Sequence, residues 1–443
     1  MTTAPTSESR RVALASAVGT TIEWYDFFIY GTAAAVVFGP QFFPQVSELA
    51  RTLAAFATFA IGFIARPIGG VVMGHYGDRF GRKFMLVWAL MLMGLATLGI
   101  GLLPTYAQIG AWAPALLTTL RFIQGFALGG EWGGAVLMSV EHAPQGRRGL
   151  FGSVVALGLP AGIVLSNLVF IIVTTILSPE QFAAWGWRIP FIASSVLVAV
   201  GLFVRLRIAE SPIFADVLRS GAARRMPVVD VLRTDARTVL LAAGSYVGIS
   251  GLGYILLVYF VTYATRQLGL TLPTALMLIV LASLVGAPGT MYFAHLSDRI
   301  GRRRIMQWGL GALVLWSAIY FPLVDTGSIP LIALSLCGMM FLQGAYLGPQ
   351  PAVFSELFAP AIRYSGASLS LTLGTILGGA LAPFIATTLY GVAGNSSFIT
   401  AYVTVLSLIS WLCSLGLRET YRSDLAAGPE KAGPKGPALQ NVT

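Results

Sequence analysis

The sequence predicts an all-α membrane protein with twelve transmembrane helices, arranged as two parallel repeats of six. Three observations carry this prediction. Of the 443 residues, 56% are hydrophobic and only 10% are charged, whereas about 25% of the residues in soluble domains are charged. The apolar residues fall into long unbroken stretches, and a basic motif near residue 80 returns near residue 300.

Nearly all of the apolar stretches exceed the ~18 residues that a helix needs to cross a bilayer core. They lack the alternation of lipid-facing and inward-facing residues that a barrel strand shows. The first stretch contains Glu23 and Asp26 and is followed by no small-residue cleavage site, so we interpret it as a retained span. The stretches cover residues 12–38, 50–73, 84–103, 113–139, 150–177, 189–206, 238–264, 274–294, 305–325, 328–355, 365–391 and 396–417.

The repeated motif indicates an internal duplication. Residues 74–83 read GHYGDRFGRK, and residues 294–303 read AHLSDRIGRR. Further residues recur at a nearly constant offset of about 215–220 positions, which is the signature of two copies of one unit. These pairs are Glu141 with Glu356, Arg147 with Arg363, and Gln124 with Gln343. Both copies of the motif would lie on the same side of the membrane, so the two halves are parallel repeats.

The duplication divides the chain into four parts. We predict an N-terminal six-helix bundle over residues 1–206, a cytoplasmic linker over 207–237, a C-terminal bundle over 238–421, and a disordered tail over 422–443. Within the linker, Ser211 and Pro212 are suited to begin a helix, so a short amphipathic helix is expected over 213–219. The tail is rich in Gly and Pro, a composition typical of disorder.

The basic residues predict that both chain ends lie in the cytoplasm. Cytoplasmic loops of membrane proteins are enriched in Lys and Arg. With the N-terminus inside, most of the 28 Lys and Arg residues would lie on the cytoplasmic side, and the external segments would hold only Arg51, Arg188 and Arg266. The net charge of +10 therefore reflects membrane topology, and no nucleic-acid partner is expected.

The motif at 74–83 resembles the signature loop of the major facilitator superfamily of transporters. Glycine suits the tight turn between packed helices, and an Asp can sit against the positive end of a helix. The resemblance implies that this loop is a conformational latch that favours the outward-facing state. We assign to the latch Gly74, Asp78, Arg79, Gly81 and Arg82, their counterparts Asp298, Arg299, Gly301 and Arg302, and the repeated residues Glu141, Arg147, Glu356 and Arg363.

Further stretches are similar to one branch of that family, the metabolite–proton symporters. They are residues 23–27 (EWYDF), 65–69 (ARPIG), 121–125 (RFIQG), 129–134 (GGEWGG), 185–191 (WGWRIPF) and 210–212 (ESP). Substrates of this branch include shikimate, 2-oxoglutarate, citrate, proline and betaine, and the likeness is nearest to shikimate-type bacterial members. The resemblance implies proton-coupled uptake of a small organic acid by alternating access, in the inner membrane of a bacterium, by a functional monomer.

Ionisable residues inside spans are costly, so each is a functional candidate. Five are expected, all in the first half: Glu23, Asp26, Arg66, Arg121 and Glu131. Depth estimates at ~1.5 Å per residue place Asp26 level with Arg121. We therefore expect a pair in which Asp26 exchanges Arg121 for a proton. Arg66 would pair with Glu131 or hold a substrate carboxylate. The alternative is that all five form a static network that fixes helix packing.

These residues define the predicted sites. No histidine is expected in a span, so the proton would be carried by Asp26, Glu23 or Glu131. The expected substrate-binding residues are Arg66, Arg121, Tyr30, Gln124, Tyr254, Gln343 and Gln350, although tyrosines in spans also serve for packing. No metal and no cofactor are expected, because the coupling ion is the proton.

Four other functions compete with organic-acid symport. Uptake of a zwitterion such as proline or betaine is the nearest. A drug–proton antiporter of the same family is disfavoured, because residues 158–162 (GLPAG) match the antiporter signature only in part. A transporter-like membrane sensor would carry a sizeable soluble domain, which this sequence does not contain. An enzyme is disfavoured because no nucleotide loop or nucleophile–base pair is recognisable.

Overall fold

The structure, a computed structural model, describes residues 7–80, 82–129, 136–137, 139–140, 143, 146–206, 227–359 and 362–421. Within these ranges, nine helices are long and apolar enough to cross a membrane. Three more helices, Ser7–Ala33, Arg82–Leu102 and Trp112–Leu128, occupy the remaining expected spans. The all-helical, multi-pass architecture expected from the sequence is confirmed.

We number the spanning helices α1 to α12 in chain order. Their bounds are α1 Ser7–Ala33, α2 Glu48–Phe80, α3 Arg82–Leu102, α4 Trp112–Leu128, α5 Arg148–Ile176, α6 Ile189–Leu206, α7 Ala236–Arg266, α8 Leu272–Ile300, α9 Arg302–Val324, α10 Ile329–Glu356, α11 Arg363–Ala393 and α12 Ser397–Leu415. Short helices at Tyr106–Ile109 and Pro179–Ala184 lie between spans. The last part of the expected linker is also helical, over Pro227–Thr234, and the helix expected over 213–219 lies outside the described residues, as does the tail 422–443.

Each half repeats the same pattern of helix neighbours. In the first half α1 packs on α5 and α6, α2 on α4, and α3 on α4 and α6. In the second half α7 packs on α11 and α12, α8 on α10, and α9 on α10 and α12. Every pair of the first half thus has its counterpart six helices later, which is the arrangement expected of a duplicated bundle.

Glycine allows unusually close helix contact between α2 and α4. A Cβ atom on Gly125 would lie 1.9 Å from the backbone oxygen of Gly62, and one on Gly69 would lie 1.8 Å from that of Phe126. Neither position can hold a larger residue without separation of the helices. Small residues at such crossings let membrane helices approach closely, and here they fix the register between α2 and α4.

Short π-helical segments interrupt three spans. They follow α1 at Ala34–Phe38 and lie within α7 at Ile255–Tyr259 and within α11 at Ile376–Ala380. The first two occupy equivalent positions in the two repeats. Wide turns of this kind are frequently found at functional sites, and all three segments lie where the two halves meet.

The repeated motif is more helical than expected. We predicted loops over 74–83 and 294–303, but α2 continues to Phe80 and α8 continues to Ile300. The polar ends of these helices need no bilayer, so they extend beyond the apolar stretch. The chain turns at Gly301, whose φ of 114° is disfavoured for any residue with a side chain. We call the end of the molecule that carries both motifs the basic end, and the other the opposite end.

Candidate functional site

A cavity lies between the two halves, in the part of the molecule nearer the basic end. It contains ≈ 850 Å³ of space free of protein atoms, part of which is open to solvent, and is lined by residues of α1, α2, α4, α5, α7, α10 and α11. Its polar wall includes Thr20, Glu23 and Arg66 from the first half, and Tyr246, Gln350 and Ser368 from the second. Both halves therefore contribute polar side chains to the same cavity.

Several polar atoms of this wall have no protein partner. The Arg66 Nε, the Gln350 Nε2 and the Ser368 Oγ are buried atoms without a hydrogen bond. Buried polar groups in folded proteins are paired with protein or with ordered water, so these atoms are available to water or to a ligand in the cavity. Two of the three atoms are obligate donors, and the cavity is therefore suited to a ligand that brings hydrogen-bond acceptors.

Asp26 lies beyond the cavity in a chain of hydrogen bonds that links four helices. Its side chain is buried and accepts bonds from Ser194 of α6 and from Thr97 of α3, the latter at 3.1 Å. The Gln124 amide donates to Thr97 at 2.7 Å and accepts from the Arg121 Nη1 at 3.2 Å. The carboxylate and the guanidinium thus belong to one network.

This arrangement corrects the direct Asp26–Arg121 pair expected from the sequence. The two residues do lie in the same buried layer, but Thr97 and Gln124 stand between them. The depth estimate was sound, because helical rise is regular. Depth along a helix does not give the lateral spacing between helices. That spacing leaves room for the side chains of Thr97 and Gln124 between Asp26 and Arg121.

Arg121 is held mainly by aromatic faces. Its Cζ lies 4.1 Å from the ring centre of Tyr30, 4.6 Å from that of Phe27 and 5.0 Å from that of Phe59. The Nε and Nη2 atoms have no hydrogen-bond partner. Stacking of a cation on aromatic rings offsets part of its desolvation. Tyr30 is fixed in turn by a 2.8 Å hydrogen bond from its hydroxyl to Thr58.

A cluster of four aromatic rings contacts both Arg66, on the cavity wall, and Arg121, in the network of Asp26. The rings are Phe27 of α1, Phe59 and Phe63 of α2, and Tyr254 of α7, and we call them the aromatic partition. All of their ring centres lie 5.0–5.8 Å apart. Tyr254, expected as a substrate ligand, is thus packed in this cluster, where it closes the partition from the second half.

Charged residues connect the two halves at the basic end. Asp298 of α8 accepts hydrogen bonds from the backbone N–H groups of Gly149 and Leu150, at 2.9 and 3.1 Å. These two groups belong to the first turn of α5, where the helix dipole favours an anion. Arg302 binds both Asp298, at 3.3 Å, and Glu356, at 2.8 Å. The carboxylates of one half therefore meet the helix end of the other.

A second contact reinforces the same closure. Arg148 of the first half lies 3.8 Å from Glu356 of the second. The sequence assigned this role to Arg147, but that side chain is exposed and Arg148 reaches the interface instead. Arg299 is also exposed, whereas Arg363 is buried at the start of α11. The sequence does not distinguish Arg148 from its neighbour Arg147. The turn before α5 decides which of the two adjacent arginines faces inward.

The halves also meet at the opposite end. Arg266, at the end of α7, forms an ion pair of 3.0 Å with Glu48 and donates a 2.9 Å hydrogen bond to Thr52, both at the start of α2. Thr262 donates to the backbone oxygen of Ala35 at 3.4 Å. The cavity is therefore bounded at both ends by contacts between the halves.

Other expected residues occupy defined or undescribed places. Gln343 is buried and its Nε2 has no hydrogen-bond partner, although it does not line the cavity. Glu131, Glu141 and Gly81 lie outside the described residues. For Gly74, Asp78, Arg79 and Arg82 only the helical backbone is described. The Arg66–Glu131 pair thus stays a prediction. Sequence reasoning missed Thr97, Ser194 and Phe27, because serine, threonine and phenylalanine are too common in spans to stand out.

Two six-helix repeats around a shared polar cavity define a membrane transport protein rather than an enzyme. The chain belongs to the Major Facilitator Superfamily, whose family model matches residues 16–383. It is 42% identical to the inner membrane metabolite transport protein YhjE of Escherichia coli over 416 residues, which cover 92% of this chain and 94% of the relative.

Two further comparisons agree with this assignment. The shikimate transporter of Escherichia coli is 39% identical over 94% of this chain and 96% of its own length. Among solved structures, a D-xylose–proton symporter superposes with a TM-score of 0.73 at 17% identity, over 94% of this chain and 99% of that one. The family and the metabolite-transporter branch expected from the sequence are confirmed, and the xylose symporter supports the fold alone.

Proposed function

We propose that the protein is a proton-coupled symporter that takes up a small organic acid by alternating access. The observation that carries the proposal is the set of unpartnered donors in the cavity, the Arg66 Nε and the Gln350 Nε2. An arginine favours a carboxylate because its planar fork matches the two oxygens. The likeness to a shikimate transporter supports the same class, since shikimate is a hydroxylated carboxylate.

The proposed proton carrier is Asp26. Its carboxyl is 1% exposed and its described partners are the hydroxyls of Thr97 and Ser194. Burial away from water favours the neutral form of a carboxyl, and hydrogen-bond donors favour the charged form. A movement of Arg121 would act on this balance through Gln124 and Thr97, which link the guanidinium to the carboxyl. Glu23, on the cavity wall, is a second candidate for proton exchange.

One feature favours the zwitterion as a second candidate substrate. Glu23 shares the cavity with Arg66, so a ligand with both an ammonium and a carboxylate could contact both charges. Replacement of Glu23 by Gln separates the two classes. Uptake of an organic acid should survive the change better than uptake of proline or betaine, because only the zwitterion uses the negative charge as a binding partner.

Topology and assembly follow the sequence. We propose that the basic end, and with it both termini, lies in the cytoplasm, because cytoplasmic segments of membrane proteins are enriched in Lys and Arg. One chain lines the cavity, which supports the proposal that the protein transports as a monomer.

The proposal is tested in proteoliposomes with an imposed pH gradient, screened over shikimate, 2-oxoglutarate, citrate, proline and betaine. We expect gradient-driven accumulation of one organic acid. Asp26→Asn should abolish accumulation and retain exchange of labelled for unlabelled substrate. Asp325→Asn is the control, since Asp325 is bound by Tyr263 and Ser396 within the second half. Accumulation that is indifferent to the gradient would rule out symport, and intact coupling in both Asp26→Asn and Glu23→Gln would rule out the assigned proton site.

A further inference from the structure

Phe27 occupies a singular position in the aromatic partition, because Arg66 and Arg121 both lie over its ring. The Arg121 Cζ is 4.6 Å and the Arg66 Cζ is 5.0 Å from its centre. The two cations come from different surroundings. Arg121 also stacks on Tyr30 and Phe59, away from the cavity, whereas Arg66 stacks on Phe63 and lines the cavity wall.

The sequence positions agree with a boundary at Phe27. Along α1, Glu23 lies one turn before Phe27 and reaches the cavity, whereas Tyr30 lies one turn after it and contacts Arg121. Along α2, Phe63 and Phe59 are also one turn apart, in the same sense. The cavity wall includes Glu23, Trp24 and Arg66 but none of the residues of the Asp26 network. The partition therefore lies behind the cavity wall, with Phe27 between Arg66 of that wall and Arg121 of the Asp26 network.

We infer that Phe27 is a positioning residue that keeps the Asp26 network separate from the cavity, so that Asp26 does not exchange its proton with cavity water while the partition is closed. This inference rests on the proposed proton coupling. A symporter must prevent proton movement without substrate. Since Tyr254 is the one ring of the partition from the second half, relative movement of the halves opens the partition, and Phe27 ties proton exchange to that movement.

The physical basis is the contrast between an aromatic ring and a void in a charged surrounding. Removal of the Phe27 ring would leave space flanked by two guanidinium groups with unsatisfied N–H donors. Apolar cavities remain dry, but a polar cavity large enough for water is hydrated. Water in this space would join the cavity to Arg121, Gln124 and Thr97, and through them to Asp26.

The test measures proton flux without any substrate, with vesicles that contain a pH-sensitive dye and valinomycin to clamp the membrane potential. We expect Phe27→Ala to raise the substrate-independent proton flux several-fold over the wild type. Phe27→Tyr keeps an aromatic ring and should show the same flux as the wild type. Phe27→Leu is a milder variant that serves if the alanine variant does not fold. The matched control is Phe170→Ala, because Phe170 is also fully buried and its described ring contact is with Phe182 rather than with the partition.

A second variant identifies the route. The extra flux of Phe27→Ala should disappear in the double variant Phe27→Ala/Asp26→Asn. Flux that persists in the double variant, or a wild-type level of flux in folded Phe27→Ala and Phe27→Leu, would overturn the inference. Failure of the proposed function gives a different result. In that case substrate accumulation by the wild-type protein would not depend on the pH gradient, and the residue at position 27 would not change this.

Discussion

The carboxylate of Asp298 accepts a hydrogen bond from the backbone N–H of Gly149, at 2.9 Å, across the interface between the two halves. A Cβ atom on Gly149 would lie 2.8 Å from that carboxylate, so the absence of a side chain makes the contact possible. The repeated motif thus supplies a direct contact between the halves, from Asp298 of α8 to the N-terminal end of α5.

Loss of this link should open the basic end more often. Asp298→Ala removes hydrogen bonds to a charged acceptor that contribute about 1.5–3 kcal/mol, so the closed state should lose roughly tenfold or more in population. The measurement is the rate at which Thr372→Cys, on the cavity wall, reacts with a membrane-impermeant maleimide in inverted vesicles. Cys337 and Cys413 are first replaced by Ser. Asp325→Ala is the control, and an equal rate in both variants would contradict the prediction.

Glu356 should be far more important for stability than Glu48, although both form ion pairs with arginine. Glu356 and Arg302 are fully buried, whereas the Glu48 side chain is 76% exposed. Glu356→Ala leaves Arg302 without a principal partner and should cost about 3–5 kcal/mol. Glu48→Ala should cost about 1 kcal/mol or less. Thermal unfolding in detergent compares the two, and similar losses of stability would contradict the prediction.

Two buried glutamines in equivalent repeat positions, Gln124 and Gln343, should differ in how much their replacement by leucine destabilises the protein. Gln124→Leu removes both the donor to Thr97 and the acceptor of Arg121, and should destabilise the protein by about 1–3 kcal/mol because polar groups lose their partners. Gln343 has an unpartnered Nε2, so Gln343→Leu should leave stability nearly unchanged. The measurement is the midpoint temperature of thermal unfolding of each variant, compared with that of the wild type. A larger loss for Gln343→Leu would show that its amide is satisfied in the native state.

The close crossing of α2 and α4 should reject even one methyl group. Gly125→Ala places a Cβ against the backbone oxygen of Gly62, which cannot rotate away, and should cost about 1–3 kcal/mol through overpacking. Transport should fall as well, because Arg121 and Gln124 move with α4. The matched control is Gly253→Ala, since a Cβ at Gly253 meets nothing within 4 Å. A neutral result for Gly125→Ala would mean that the helices separate at little cost.

Much of this protein can be predicted from short-range patterns. Twelve apolar stretches identify the spans because bilayer thickness fixes helix length, and the repeat identifies the two bundles. Asp26 and Arg121 stand out because charge is costly in lipid. The exact contacts do not follow from such patterns. Arg148 rather than Arg147 reaches Glu356, and Gln124 separates Asp26 from Arg121, because both depend on how a helix is rotated about its axis.

The sequence by itself determined the class of the protein, its duplicated architecture and the presence of Asp26 and Arg121 inside spans of the first half, since these follow from hydrophobicity and spacing along one chain. Only the tertiary structure decided which charges touch and what separates them. Phe27 is one of 26 phenylalanines, and although it ends the stretch EWYDF at 23–27, that stretch does not show which residues its ring contacts. Its position between Arg66 and Arg121 arises because three helices converge there, and convergence of helices is a property of packing rather than of any local pattern.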